Sequence, residues 1–153
     1  MNFTRFGAAA SLMAALGAGA ALANDFDTEV ETRQGQFKLF AFNIGPLVEM
    51  AQGDIDYDAD MAATAAENLA SVTSLHQDRL WPDGSDNESI EGTRALPAIW
   101  ENLDDFADKY ADLGEATANL EMAAGEGLDE LRGAIGAVGN ACSACHDDYR
   151  AEQ

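Results

Sequence analysis

Near its C-terminus the chain places its two cysteines and one of its two histidines within five positions, Cys142-Ser143-Ala144-Cys145-His146. Residues three and four apart share one face of a helix, so both thiols and the imidazole can address a single planar group. This CxxCH spacing is the attachment signature of c-type haem: the thiols add across the two vinyl groups while His146 turns toward the iron. Two other chemistries use closely spaced cysteines. A thioredoxin-like redox pair needs a βαβ context, which the surrounding sequence lacks. A structural zinc site needs a fourth ligand, and the remaining histidine, His76, reads as an ordinary half-exposed residue near the end of a helix.

The elements that must position this motif are helical. After residue 23 the chain holds 4 Val and 5 Ile against 21 Ala and 11 Leu, a balance that favours helix. From Thr28 to about Met50, Val30, Phe37, Phe40, Ile44 and Leu47 follow steps of three and four once Arg33 takes one place, with a kink expected at Gly45-Pro46. Gln52 to Tyr57 is the connecting turn. A second helix starts near Asp58, points Met61, Ala65, Leu69, Val72 and Leu75 inward, and ends around Leu80. Trp81-Pro82-Asp83-Gly84-Ser85-Asp86-Asn87 is dense in turn formers and opens a long connection to about Leu96. Pro97 stands in the first turn of a third helix, where its missing N–H is harmless. Ile99, Leu103, Phe106, Tyr110, Leu113, Thr117 and Leu120 form its seam, and Gly125-Glu126-Gly127 ends it. The fourth helix begins at Leu128 and reads Leu131, Ile135, Val138, Cys142, Cys145, Tyr149, which puts both cysteines on the buried seam.

Four such segments predict an all-α fold: an antiparallel, left-handed four-helix bundle with a long connection between helices 2 and 3. Gly133, Gly136 and Gly139 each cost about 1 kcal/mol against Ala inside a helix. Either a close approach by haem or a neighbouring helix offsets this, or the fold simply tolerates it.

At 153 residues the length suits one domain plus a processing segment. Met1 and Arg5 supply a positive start, Gly7 to Ala23 carries no charge, and Ala21-Leu22-Ala23 is a small-x-small cleavage pattern. Residues 1–23 are therefore expected to be a signal peptide cleaved after Ala23, and residues 24–153 the haem domain. A membrane anchor would be longer and more apolar. An exported chain would ordinarily use two cysteines for a disulfide, but a separation of two residues followed by His146 favours haem. Eight Lys+Arg against 28 Asp+Glu give a formal charge of -20, which becomes -21 when the leader takes Arg5 away. Nucleic-acid binding through phosphate neutralisation is excluded, and a protein partner should be basic. Acidic runs such as Asp54 to Asp60 and Glu101 to Asp105 read as helix starts and solvated faces. No later segment could span a bilayer.

With these residues in place the chain resembles the cytochromes c′, class II c-type cytochromes of the four-helix-bundle type. The resemblance rests on Arg33-Gln34 followed by Phe37, on Pro97-Ala98-Ile99-Trp100 at the start of the third helix, and on Cys142-Ser143-Ala144-Cys145-His146-Asp147-Asp148-Tyr149-Arg150 at the end. Ordinary class I cytochromes c carry the motif near the N-terminus. The resemblance implies one covalently bound haem c held by Cys142 and Cys145. It makes His146 the sole protein ligand, leaving five-coordinate iron with Phe37 over the open, distal face. It sets Arg33 and Gln34 against the haem edge and propionates, Arg150 beside the proximal histidine, and Thr93 and Arg94 where the long connection passes the haem edge.

Each of these residues also has a plainer reading. Arg33 could pair with Glu29, Arg150 could answer a helix C-terminus, and Phe37 could be ordinary core. A related low-spin group of the same fold has Met in place of Phe37. Here Met50, Met61 and Met122 lie outside the Arg33-Gln34 register, and a six-coordinate electron carrier is the alternative. An apolar pocket walled by Phe37 offers no hydrogen-bond donor and would select nitric oxide or carbon monoxide over dioxygen. Gas binding and electron transfer are compatible at one iron. No acid, base or nucleophile constellation supports turnover of an organic substrate, so no enzyme is expected. The resemblance further implies a periplasmic location and a homodimer through the first two helices. Leu39, Phe42 and Val48, outside the seam, fit such an interface unless they merely widen the core face.

Overall fold

The computed structural model describes residues 26–152, so the expected leader and its cleavage point after Ala23 lie outside the described residues. Five α-helices follow in order: α1 Asp27–Gln52, α2 Ala59–Thr73, α3 Ala98–Glu101, α4 Leu103–Ala124 and α5 Leu128–Tyr149. The four long ones form the expected all-α bundle. Helix α1 packs on α2 and α5, and α4 closes the ring against the same two.

Helix α1 runs through Gly45-Pro46, where a kink is expected, to Gln52. Proline removes one bond, that to the carbonyl of Phe42, and at that level the helix is open to solvent: Phe42 is 78% exposed. Gly53 ends the helix in the left-handed region at φ 84°, its N–H donating to the Glu49 carbonyl. The seam of α1 is shifted from the expected one. Val30, Arg33, Phe40 and Leu47 are buried, but Gln36 and Asn43 occupy the places read for Phe37 and Ile44. Both amides are anchored. Gln36 Nε2 donates to the Val72 carbonyl and to Tyr110 Oη, and Asn43 Oδ1 accepts from Asn68 Nδ2.

Helix α2 starts where expected, with Asp58 accepting from the Met61 N–H. It stops at Thr73, not near Leu80. The Thr73 hydroxyl turns back to the Leu69 and Ala70 carbonyls and the Ser74 hydroxyl to that of Ser71, in the competition for backbone groups that makes such residues poor helix interiors. Ala62, Ala65, Ala66 and Leu69 form its inward face, whereas Met61 and Leu75, expected inside, are exposed. The expected third helix is divided at Asn102, whose side-chain amide donates to the Ala98 carbonyl. Leu103, the first residue after the break, is exposed instead of inward, while Ile99, Phe106, Leu113, Thr117 and Leu120 are buried as expected. At Gly125 an added Cβ would lie 3.0 Å from Ala63 Cβ, so the end of α4 can approach α2 only without a side chain.

Side chains divide into two apolar clusters. The larger runs along the bundle and includes Phe40, Leu47, Leu69, Leu120, Leu131 and Val138. The smaller, Ala95, Ile99, Phe106 and Tyr149 with Trp81 and Trp100 against it, lies under the connection of residues 74–97. That connection is tied at both sides. Arg33, 2% exposed, donates to Ser85 Oγ at 2.7 Å, the Ser85 carbonyl at 2.5 Å, Thr93 Oγ1 at 2.9 Å and the Leu80 carbonyl at 3.2 Å. Across the bundle Ala95 and Arg150 form an antiparallel bridge, with Leu96 N–H donating to the Tyr149 carbonyl and Ala151 N–H to that of Arg94.

A hydrogen bond to a charged group contributes about 1.5–3 kcal/mol. Arg33→Met keeps the apolar stem but strands Ser85, Thr93 and Leu80, so chemical denaturation should show a loss of at least that size. Proteolysis between Leu80 and Thr93 should become faster. Unchanged stability and unchanged cleavage would show that the connection is held by something else.

Candidate functional site

Helix α5 delivers the CxxCH group to the junction of the two apolar clusters. Cys142 packs against the larger and Cys145 against the smaller, and the two thiols form no disulfide. Both are half-buried rather than fully on the seam. Burial pushes the Cys142 thiol above its ordinary range and Cys145 to about 11, so both are protonated at neutral pH. His146, also half-buried, is pushed the other way. Burial first, then the charges of Arg150 and Arg94, lower its proton affinity, with Asp147 opposing. The imidazole is therefore neutral at pH 7, the form that binds metal ions.

The expected site residues fall into three groups. Arg33 and Gln34 both reach the connection, Arg33 as described and Gln34 through Nε2 to the Gly92 carbonyl at 2.8 Å. Thr93 is thereby brought to α1. Arg94 turns its guanidinium to the Ala151 carbonyl, Nε at 2.8 Å, which places it beside the end of α5 with Arg150 and His146. Phe37 stands apart from the core, 39% exposed, with its ring edge-on to Trp81 at 6.5 Å between centroids. The plain core reading of Phe37 is thus removed. So is the reading of Arg33 as a partner of Glu29: among the described residues the ion pairs are Lys109 with Asp105 and Asp148, and Arg132 with Asp129.

Trp81 is the residue that sequence reasoning missed, having been counted as part of a turn. Arg33 lies over its indole, 4.5 Å from guanidinium carbon to ring centroid, and Phe106 meets it at 4.8 Å. Phe106 in turn meets Tyr149 at 5.4 Å, and Tyr149 Oη donates to Asp105. A lone large aromatic in a run of turn formers was the available signal, since such residues rarely remain on the surface without a partner.

The residues present fit a covalently attached haem on three counts. The donor set is two thiols and a neutral imidazole within one and a half turns of α5. A Cβ built at Gly139, one turn before Cys142 on the same face, meets no atom within 4 Å, and the same holds at Gly133 and Gly136, so no neighbouring helix approaches them. In an acidic chain, Arg33, Arg94 and Arg150 pair with no carboxylate among the described residues, although Asp86 acts on Arg33 from a distance. Cations without a carboxylate partner suit the propionates of a haem, although the Arg33 guanidinium is already committed to Ser85, Thr93 and Leu80. The methionines offer little for a second axial bond: Met50 is buried in the larger cluster, and Met61 and Met122 are exposed.

Comparison with known proteins agrees with this geometry. The family model described as Cytochrome C' matches residues 28–150. The cytochrome c' of Cereibacter sphaeroides is 44% identical over 144 residues, covering 94% of this chain and 96% of that one. A solved cytochrome c' from Rhodobacter Spheriodes superposes with a TM-score of 0.82 at 41% identity, over 84% of this chain and 99% of the other. A ferrous variant of cytochrome c prime from Alcaligenes xylosoxidans with bound NO superposes with a TM-score of 0.70 at 31% identity, over 82% and 94%. A match that runs from the second residue of α1 to the arginine that ends α5 takes in the bundle, the connection and the attachment motif together, and the chain belongs to the cytochrome c′ family, whose cofactor is covalently bound haem c.

Proposed function

We propose that this chain is an exported, periplasmic haem protein that binds nitric oxide or carbon monoxide and exchanges electrons, without turning over an organic substrate. Cys142 and Cys145 hold haem c as thioethers and His146 is the single protein ligand. The observation that carries the reading is Phe37, an aromatic side chain on α1 that is 39% exposed yet held edge-on to Trp81, beside the cluster that includes Cys145. Bound haem supplies an iron that changes oxidation state and accepts a diatomic molecule.

The chain's own residues set the conditions. Arg94 and Arg150 favour neutral imidazole at His146. Phe37 walls the opposite face with an apolar ring that offers no hydrogen-bond donor, which favours ligands that need none over dioxygen. Arg33 and Gln34 lie where they can meet the propionate edge. The NO-bound relative supports nitric oxide as a ligand class for this fold. Placement of Met50, Met61 and Met122 away from Phe37 favours five-coordinate over six-coordinate iron.

One series of spectra tests this reading. The denatured chain should keep its haem through acidified organic solvent, and Phe37→Ala should bind carbon monoxide faster after flash photolysis than the native protein, with ferric spectra still five-coordinate. Truncating a Phe costs about 3–5 kcal/mol if fully buried, and the partial exposure of Phe37 predicts less. An unchanged association rate in folded protein would mean that the distal wall is elsewhere, and haem lost to the solvent would reject the covalent link.

Charge sets the partner. At a formal -20 for the whole chain, encounter with a basic redox protein is accelerated by attraction and slowed by salt. Stopped-flow rates should fall with ionic strength for a cationic partner and rise for an anionic one; flat dependence for both would count against it.

A homodimer through α1 and α2 is the assembly we propose. Leu39 is 57% and Phe42 78% exposed, so they do not widen the core, and apolar side chains in that number on one helix favour burial against a second copy. Sedimentation at micromolar concentration should show a dimer that Phe42→Glu dissociates. A monomer at every concentration would remove the idea.

A further inference from the structure

We infer that Trp81, carried by the connection and not by any helix, is the positioning residue that holds Phe37 in its blocking place and so sets the rate of ligand entry. The inference rests on the reading of Phe37 as the distal wall and deepens it. The Phe37 ring contributes no hydrogen bond and is 39% exposed. The ring it meets is that of Trp81, at 6.5 Å between centroids and 66° between planes, the edge-to-face geometry that attracts the positive rim of one ring to the negative face of another.

Trp81 itself cannot drift. The Arg33 guanidinium covers one side of it at 4.5 Å, and Phe106 meets it at 4.8 Å and 70°. Its indole N–H donates to Gln77 Oε1 at 3.3 Å, and its carbonyl accepts from Trp100 Nε1 at 3.1 Å. Gln77 is held in turn by Tyr110, whose Oη accepts from Gln77 Nε2 at 2.9 Å and from Gln36 Nε2 at 2.6 Å. A rigid indole thus faces a ring that must move. Displacing Phe37 toward solvent means giving up the contact with Trp81, and the cost of that contact adds to the barrier for ligand entry. Ligand escape meets the same ring only after it has moved, so the effect falls mainly on association.

The test is a mutant cycle in the haem-loaded protein, read by carbon monoxide association after flash photolysis, by the ferric and ferrous absorption spectra, and by melting temperature. Trp81→Leu should speed association roughly 2- to 12-fold, the range set by one aromatic pair. Trp81→Phe, which keeps an aromatic partner, should restore most of the native rate. In a Phe37→Ala background Trp81→Leu should change nothing further, a coupling that general loosening of the connection would not produce. If Phe37→Ala is faster but Trp81→Leu is not, or if the two effects simply multiply, Trp81 does not act through Phe37 and the inference falls alone. If Phe37→Ala is itself without effect, the distal reading falls and takes the inference with it. Where Trp81→Leu fails to fold, crystal structures of the native ferrous protein with and without carbon monoxide decide: the separation of the two rings should lengthen on binding, and an unchanged separation overturns the proposal.

Discussion

Burying the guanidinium of Arg33 is the constraint around which the rest of the site is arranged. A guanidinium cannot lose its charge inside a protein, so every N–H it takes out of water must find an acceptor. Arg33 finds them in the Leu80 and Ser85 carbonyls and in the hydroxyls of Ser85 and Thr93, all on one stretch of connection. Drawing those four atoms to one point on α1 obliges the chain from Leu80 to Thr93 to fold back over the helix. Trp81 is then carried under the guanidinium, and its indole becomes the hub on which Phe37, Trp100 and Phe106 converge.

The same connection reaches the other wall of the site. Beyond Thr93 it pairs with the end of α5 through the Ala95–Arg150 bridge and the Arg94–Ala151 contacts. Helix α1 supplies the residue proposed for the open face of the iron, and α5 supplies the attachment residues. Their relative placement is therefore governed by a segment with no regular structure as much as by packing of the two helices. Asp86 stiffens that segment. Burial works against its charge, yet hydrogen bonds from the Glu88 and Ser89 N–H groups and the Ser89 hydroxyl hold its carboxyl below the ordinary range.

Electrostatics divides the molecule in two. Over most of its surface carboxylates outnumber cations, and the pair of Arg132 with Asp129 is exposed, where screening leaves little net energy. Around the attachment motif Arg94 and Arg150 keep no carboxylate partner among the described residues, and burial together with their charges lowers the proton affinity of His146. An acidic exterior thus surrounds a motif at which Arg94 and Arg150 oppose Asp147.

What the sequence determined by itself were features whose causes lie within a few residues. Helix existence, the Asp58 cap, the stop at Gly125-Glu126-Gly127 and the shared helical face of Cys142, Cys145 and His146 all follow from local geometry and local hydrogen bonding. Periodicity located the α1 seam at Val30, Arg33, Phe40 and Leu47 but misplaced it at Phe37 and Ile44, because Gln36 and Asn43 are admitted there only by acceptors and donors on other helices, at Val72, Tyr110 and Asn68. The early end of α2 and the break at Asn102 turned on side-chain oxygen and amide groups that capture carbonyls a propensity scale assigns to the helix. Trp81 and Arg33 were decided by tertiary structure alone. Arg33 meets acceptors 47 to 60 positions further along the chain, and no pattern repeating every three or four residues carries information over that distance.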